Sequence, residues 1–424
     1  MTKSHDREPT TVTQALKDSQ WRQAMSEEYD ALVKNGTWEL VPLDPSHNLI
    51  GCKWIFRTKR KSNGFVEMFK ARLVAKGFHQ RSRINHIDTF NPVVKPTTIR
   101  VVFSLDVSCG WSLRQLDVNN AFLQGNLSEN VYMSQPPGFV DQDHLTHICR
   151  LRKAIYGLKQ APRAWYQELH TFILSFGFKN SDANASLFVF NVDGHILYFL
   201  VYVDDIIITG NNLAMVDRFV IALAQRFSLK DLKLLTFFLG IEVVPNTHGV
   251  LLSQRRYIQD LLTQAQMHEV QPILTPMPTS PSLSLYLGSS LSYLSQYRTV
   301  VGILQFLLIT RPGIAFAVNK LSQYMHCPTI EHWSFVKCLL RYLVGTINDD
   351  LQIFHDSSLC LHAFSYGDWA RDKDTFSSTG AYVVYLGKTP MSWSSKKQWV
   401  VARSSTKAKY RLVANTTTEI KWIY

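Results

Sequence analysis

Residues 196–208 read Ile-Leu-Tyr-Phe-Leu-Val-Tyr-Val-Asp-Asp-Ile-Ile-Ile, two adjacent carboxylates inside an otherwise apolar run. Successive side chains of a strand point to opposite faces. A strand running straight through this segment therefore buries one of Asp204 and Asp205 without a partner, which is costly. A hairpin avoids the conflict: two apolar strands meet at a polar bend that carries Asp204 and Asp205. A third aspartate, Asp117, ends an alternating apolar-polar strand, Trp-Ser-Leu-Arg-Gln-Leu-Asp-Val at 111–118.

Taken alone, these carboxylates are either a turn and a strand terminator or a metal site. Phosphoryl transfer to a nucleic-acid end uses two magnesium ions about 3.5–4 Å apart, one at the attacking hydroxyl and one at the leaving phosphate. Mg²⁺ takes a few carboxylate oxygens together with substrate phosphate and water. One carboxylate from a strand end and two from a neighbouring hairpin match that need. Charge points the same way. The chain has 45 Lys and Arg against 33 Asp and Glu, a net +12. Ten basic residues and one acid lie between Lys53 and Arg83, and seven basic residues and one acid (Glu419) lie from Lys396 onward, so the rest is net −3. Two basic blocks on a near-neutral body indicate nucleic-acid or phosphate surfaces.

The chain is 424 residues long, 46% hydrophobic and 18% charged, which predicts a folded globular protein of two or three domains. An opening helix is predicted from about Gln14 to Lys34, with Leu16, Trp21, Ala24, Met25, Tyr29, Leu32 and Val33 at helical spacing and Asn35-Gly36 as the stop. In the strand Phe65 to Ala75, Lys70 and Arg72 share one face while Ala71 and Leu73 take the other. A second helix has Pro162 in its first turn, a stripe of Trp165, Leu169, Phe172, Ile173 and Phe176, and Gly177 after it. Pro272, Pro276, Pro278 and Pro281 among many serines read as a linker. Helical patterns follow at 296–309, 314–325 and 330–344. Short strands resume from Leu351, and a helix starts near Thr406. Cys52, Cys109, Cys149, Cys327, Cys338 and Cys360 form no Cys-x-x-Cys pair, the N-terminus is polar, and no apolar run suits a membrane span. The expectation is an intracellular protein with reduced thiols and no readable zinc site.

The motifs QLDVNNAFLQGNL at 115–127, YGLKQAPRAWY at 156–166 and YVDD at 202–205 occur in one order with KARLVAKGF at 70–78, FLGIEV at 238–243 and KLSQYM at 320–325. This series resembles the reverse transcriptase of copia-type retrotransposons, from about Glu8 to the C-terminus. The resemblance implies an α+β right-hand polymerase: N-terminal helix and fingers at 8–111, palm at 112–271, linker at 272–295, thumb-like helices at 296–345 and a truncated ribonuclease H-like region at 351–424. It implies an RNA-directed DNA polymerase whose partners are an RNA template, a DNA primer and dNTP, with integrase and protease as other Pol segments. Its setting is a cytoplasmic particle or the nucleus. Asp117, Asp204 and Asp205 are implied as catalytic ligands of two Mg²⁺ ions, with Mn²⁺ as the alternate ion. Lys70 and Arg72 are implied to clasp the triphosphate, and Phe122 to lie under the incoming sugar and exclude a 2′-hydroxyl. Tyr156, Gly157, Lys159 and Gln160 are implied to lie against nucleotide and template. FLGIEV is implied to be a strand that grips the primer.

The C-terminal part departs from the family it resembles. Where the family carries Ser-Asp-x-Asp-Trp, this chain has Ser365-Tyr366-Gly367-Asp368-Trp369. Where the family carries Ser-Ser-Thr-Glu-Ala-Glu-Tyr, it has Lys407 and Lys409 in place of the glutamates. An ammonium repels Mg²⁺, and the remaining acidic ligands are expected beyond Tyr424, so the nuclease is expected to be inactive. Arg83 and Lys233 stand at family glycines, Asn85 and Gly313 at family aspartates. Changes of this kind suggest a decaying element and leave a second reading open, a non-catalytic nucleic-acid-binding relic.

Overall fold

The computed structural model describes residues 8–60 and 65–424. The polar N-terminus and Lys61 of the first basic block lie outside the described residues. The chain is a mixed α/β structure whose centre is a six-stranded antiparallel sheet. Its strands run in the order Leu229–Leu234, Arg114–Val118, Asp205–Gly210, His195–Tyr202, Leu187–Val192, Lys179–Asn180. The apolar run of residues 196–208 supplies two neighbouring strands, paired from Leu197↔Gly210 to Tyr202↔Asp205, so Val203 and Asp204 are the whole turn.

This sheet is covered on both faces. On one side, Leu197, Phe199, Val201, Ile206 and Ile208 meet Trp165, Leu169, Ile173, Phe219 and Leu223 of the helices Ala161–Phe176 and Leu213–Arg226. On the other, Leu200 and Ile207 meet Ile99 and Phe103 of the helix Pro96–Cys109. Double coverage explains why these strands are apolar almost throughout rather than alternating.

A two-stranded ribbon, Cys52–Arg60 with Val66–Ala75, stands beside the sheet and carries the helix Ser19–Lys34. Ala71 and Leu73 pack inward with Trp21, Met25, Trp54 and Phe56, which leaves Lys70 and Arg72 on the opposite face. The helix predicted from Gln14 is interrupted. A single turn, Val12–Ala15, ends before Asp18, which caps the main helix by accepting from the Gln20 N–H at 2.8 Å. An aspartate favours that cap over a place inside the helix.

Three further expectations change. FLGIEV is a hairpin, not one strand: Phe237–Phe238 pairs with Ile241–Asn246, and Leu239 and Gly240 take left-handed φ of 49° and 74° in the turn. That hand matches the twist of the flanking strands. Leu351–Phe354 does not belong with the C-terminal unit. It pairs with Gly249–Ser253 and completes a four-stranded sheet with the FLGIEV hairpin, burying Leu351 and Ile353 beside Val243 and Leu252. The C-terminal unit proper is the sheet Leu361–Gly367, Thr379–Leu386, Thr389–Lys397 with the helix Ser405–Ile423 on it. The Pro/Ser-rich segment is irregular but not a free linker. Leu283 is buried in the core of the helices Leu294–Leu307, Ala315–Ser322 and Ile330–Gly345, with Met277, Leu287 and Leu291 packed around it. Leucines spaced among the serines tie this strap down.

Arg100 joins the units. It is buried in the helix Pro96–Cys109, donates to the Ile309 and Met391 carbonyls at 2.6 Å each, and lies 4.0 Å over the Trp393 ring.

Candidate active site

The turn that carries Asp204 is held open rather than relaxed. Val203 has φ 57°, a left-handed conformation that a β-branched residue adopts only under constraint. Two hydrogen bonds supply constraint. The Trp165 indole donates to the Val203 carbonyl at 2.6 Å, and the Val118 N–H donates to the Asp204 carbonyl at 3.2 Å. The strand Arg114–Val118 lies alongside in a register that sets Asp117 opposite Asp205. The three carboxylates thus stand together where the strand Arg114–Val118 lies beside the hairpin turn.

Their electrostatics reflect that crowding. The Asp205 carboxyl is pushed up to about 6, first by burial and then by the charges of Asp204 and Asp117, against a hydrogen bond from Gln115. Like charges brought together raise a carboxyl pKa because each disfavours ionisation of the next. Among the described residues no three acidic, His or Cys side chains already converge as a metal-holding group. An open set of hard oxygen donors with mutual repulsion suits Mg²⁺, which fills much of its shell with water and substrate phosphate.

A cavity of about 700 Å³ opens in front of the carboxylates. Asp117, Asp204 and Asp205 line it together with Lys70, Arg72, Tyr156 and Gly157, and Arg57 and Lys59 add to its basic lining. Burial lowers the Lys70 ammonium pKa, with Arg72 and Lys59 adding to the shift and Glu28 and Asp117 opposing it. The Arg72 guanidinium lies 4.4 Å over the Tyr156 ring. Tyr156 is fixed by backbone contact with the ribbon, because the Ala75 N–H donates to its carbonyl at 2.8 Å. Only glycine fits beside it: a Cβ on Gly157 would lie 2.1 Å from the Ala75 carbonyl oxygen, and one on Gly77 2.0 Å from that of Gly157.

Of the ten residues singled out in the sequence, seven line this cavity and three do not. Phe122 is half-buried between two cores, with its ring edge-on to Tyr156 at 4.7 Å. The Lys159 N–H donates to Gln80 Oε1 at 2.9 Å, and its Nζ reaches the Gln80 carbonyl at 3.4 Å. Gln160 is buried, donating to the Asn85 carbonyl at 2.8 Å and accepting from Gln80 Nε2 at 2.9 Å. Lys159 and Gln160 thus lie outside the lining of this cavity, in a hydrogen-bonded group with Gln80 and Asn85 next to the Tyr156-Gly157 corner. The residues that sequence reasoning missed are Gln115, Asn119, Asn120 and Trp165. Trp165 reads as helix core, and nothing in a helical stripe shows where an indole N–H points.

In the C-terminal unit Tyr366 and Lys407 are exposed, and Asp368 accepts from the Thr379 N–H at 2.5 Å.

Residues 35–279 match the family described as reverse transcriptase (RNA-dependent DNA polymerase). The chain is 54% identical over 417 residues to the retrovirus-related Pol polyprotein from transposon RE1 of Arabidopsis thaliana, covering 98% of this chain and 28% of that protein. It is 35% identical over 435 residues to the corresponding polyprotein from transposon TNT 1-94 of Nicotiana tabacum, covering 99% of this chain and 32% of the relative. A putative transposon Ty5-1 protein of Saccharomyces cerevisiae is 31% identical over 308 residues, 72% of this chain and all of that protein. The chain thus spans less than a third of the length of the two polyproteins.

Proposed function

The chain belongs to the reverse transcriptase family of copia-type retrotransposon Pol polyproteins, and on that premise we propose that it extends a DNA primer on an RNA template. One observation carries the reading: three carboxylates and the pair Lys70 and Arg72 line a single cavity of about 700 Å³. In this reading the ribbon and its helix are the fingers, the six-stranded sheet is the palm, and the helices Leu294–Leu307 to Ile330–Gly345 are the thumb-like unit. The primer 3′-hydroxyl attacks the dNTP α-phosphate and pyrophosphate leaves. Lys70 and Arg72 bind the triphosphate, with the stacked Tyr156 ring fixing the guanidinium in place. Asp117, Asp204 and Asp205 hold Mg²⁺. Metal ions held there would supply Lewis-acid stabilisation of the charge that develops in phosphoryl transfer. Phe122, edge-on beneath Tyr156, limits room at the sugar. The C-terminal unit, with Tyr366 and Lys407 where acidic ligands are needed, carries no nuclease in this reading.

The test is primer extension with Mg²⁺ by the purified chain and by Asp204→Asn, which keeps side-chain size and removes a charge. Extension by the unaltered chain and its loss by orders of magnitude in the variant, with an unchanged melting curve, is the expected result. Equal extension by both proteins defeats the assignment.

A further inference from the structure

We propose that Trp165 is a positioning residue for the carboxylate turn: its indole N–H, on the Val203 carbonyl, holds Val203 left-handed and so keeps Asp204 facing the cavity. The inference rests on the polymerase reading above and adds a residue to it. A two-residue hairpin turn with positive φ at its first position takes glycine there by preference. Here that position is Val203, at φ 57°. Released from constraint, valine returns to negative φ, the 203–204 peptide turns over, and the Asp204 side chain swings with it. Something outside the turn has to oppose that change.

Trp165 is built to do so. It is 1% exposed, and its ring sits edge-on to Phe227 at 5.2 Å and 86°. The indole therefore cannot follow the carbonyl if the turn relaxes. A tryptophan N–H is a donor only, and once buried it needs an acceptor. Its acceptor is the Val203 oxygen at 2.6 Å. Relaxing the turn would strand a buried donor, so the bond couples helix packing to the turn conformation. The same helix packs on residues 121–124, and a Cβ on Gly125 would lie 2.7 Å from the Trp165 backbone nitrogen. One rigid helix thus backs both the segment after Asp117 and the turn before Asp205.

A double-mutant cycle between Trp165→Phe and Val203→Gly separates this role from simple packing. Phenylalanine keeps an aromatic ring and removes the N–H; glycine makes left-handed φ free of strain. Two quantities are read for each protein: kcat for primer extension, and Mn²⁺ affinity from the loss of free-ion EPR signal. With Val203 present, Trp165→Phe is expected to lower kcat by about 10–100-fold and weaken Mn²⁺ binding about tenfold, with dNTP KM within about twofold. In the Val203→Gly background the same change is expected to alter both by less than threefold. Equal losses in the two backgrounds overturn the proposal, because a core defect does not depend on residue 203. If Trp165→Phe alone gives no folded protein, the double variant decides. Folded and within threefold of Val203→Gly, it supports the proposal; unfolded or inactive, it overturns it. Absence of extension by the unaltered chain counts against the polymerase reading, and the Mn²⁺ cycle still decides the role of Trp165. No Mn²⁺ binding by the unaltered chain overturns both.

Discussion

Asp372 of the C-terminal unit and Asp205 of the six-stranded sheet are both withdrawn from solvent, and their carboxyls are driven in opposite directions. Burial pushes Asp372 up, but hydrogen bonds from Lys320, Lys397 and Thr375 more than offset it and hold the carboxyl well below the usual range. Lys320 and Lys397 reach its two oxygens at 2.7 and 3.1 Å. Asp205 receives only partial compensation, a hydrogen bond from Gln115. Burial raises it, and the neighbouring charges of Asp204 and Asp117 raise it further to about 6. A carboxylate matched by lysines is finished as structure. A cluster of carboxylates that repel one another leaves negative potential to be neutralised by something not covalently part of the chain. The opposite shifts separate a paired carboxylate from a clustered one, and the proposed metal site is the clustered one.

The largest effects come from removing one charge at each site. Asp205→Asn relieves repulsion, so its melting temperature should hold or rise while primer extension falls at least 10²-fold, the trade expected where a site is kept strained for function. A variant that melts well below the unaltered chain would make Asp205 structural. Asp372→Asn should do the reverse. It leaves two partly buried lysines unmatched, and stability should fall by about 3 kcal/mol, measured by urea unfolding, with extension per folded molecule unchanged. The sign of the pH dependence follows. A depressed carboxyl contributes stability that is present above about pH 4, its unfolded pKa, and is lost as pH falls through the lower folded value.

Much of this contrast is legible in the amino-acid sequence, and what is not legible has physical reasons. The adjacent aspartates force a hairpin because alternation leaves no other place for both, and the same two-residue period puts Lys70 and Arg72 on one face. What stays hidden is non-local. Strand Leu351–Phe354 joins a sheet made a hundred residues earlier, a register that no local pattern encodes. FLGIEV reads as a strand because its residues are apolar, yet Leu239 accepts positive φ to make a turn. Gln160 and Lys159 are bonded to Gln80 and Asn85, partners some eighty residues away that no local pattern encodes.

Asp106 extends the contrast into the six-stranded sheet's own support. It is 4% exposed in the helix Pro96–Cys109, and burial raises its carboxyl to about 6 despite a hydrogen bond with Thr209. Thr209 lies on the strand that begins at Asp205. With the folded pKa above the unfolded one, stability is full below about pH 4 and declines as pH rises to about 6, by about 2–3 kcal/mol in all. Asp106→Asn keeps an acceptor for the threonine and should remove its share of that decline, leaving the share of Asp205, which is raised to about 6 as well. A wild-type stability curve that rises between pH 4 and 6 and is unchanged in the variant would show that Asp106 titrates normally.

The smallest effect concerns whether the six-stranded sheet has itself escaped change. Lys233 stands at a position where the resemblance leads one to expect glycine, and it has φ 61° at a bulge opposite Gln115. Its strand pairs with the one that carries Asp117, through Lys230. A residue with a Cβ in the left-handed region costs about 1 kcal/mol relative to glycine, while the exposed ammonium returns only a screened attraction to Asp231. Lys233→Gly should therefore stabilise the chain by about 1 kcal/mol. Lys233→Ala, which keeps the Cβ and removes the charge, should gain nothing, so the pair separates conformation from electrostatics. Arg83, at φ 64° and likewise at an expected glycine, offers the same test in the loop behind Gln160. Gains from glycine at both sites would mean that the backbone still holds the shape of the residues it has lost. Sequence change has then reached the sheet with the carboxylate cluster as well as the C-terminal unit, and the two regions differ in which side chains were hit rather than in whether they were. If alanine stabilises Lys233 as much as glycine does, the strain lies in the charge and that conclusion falls.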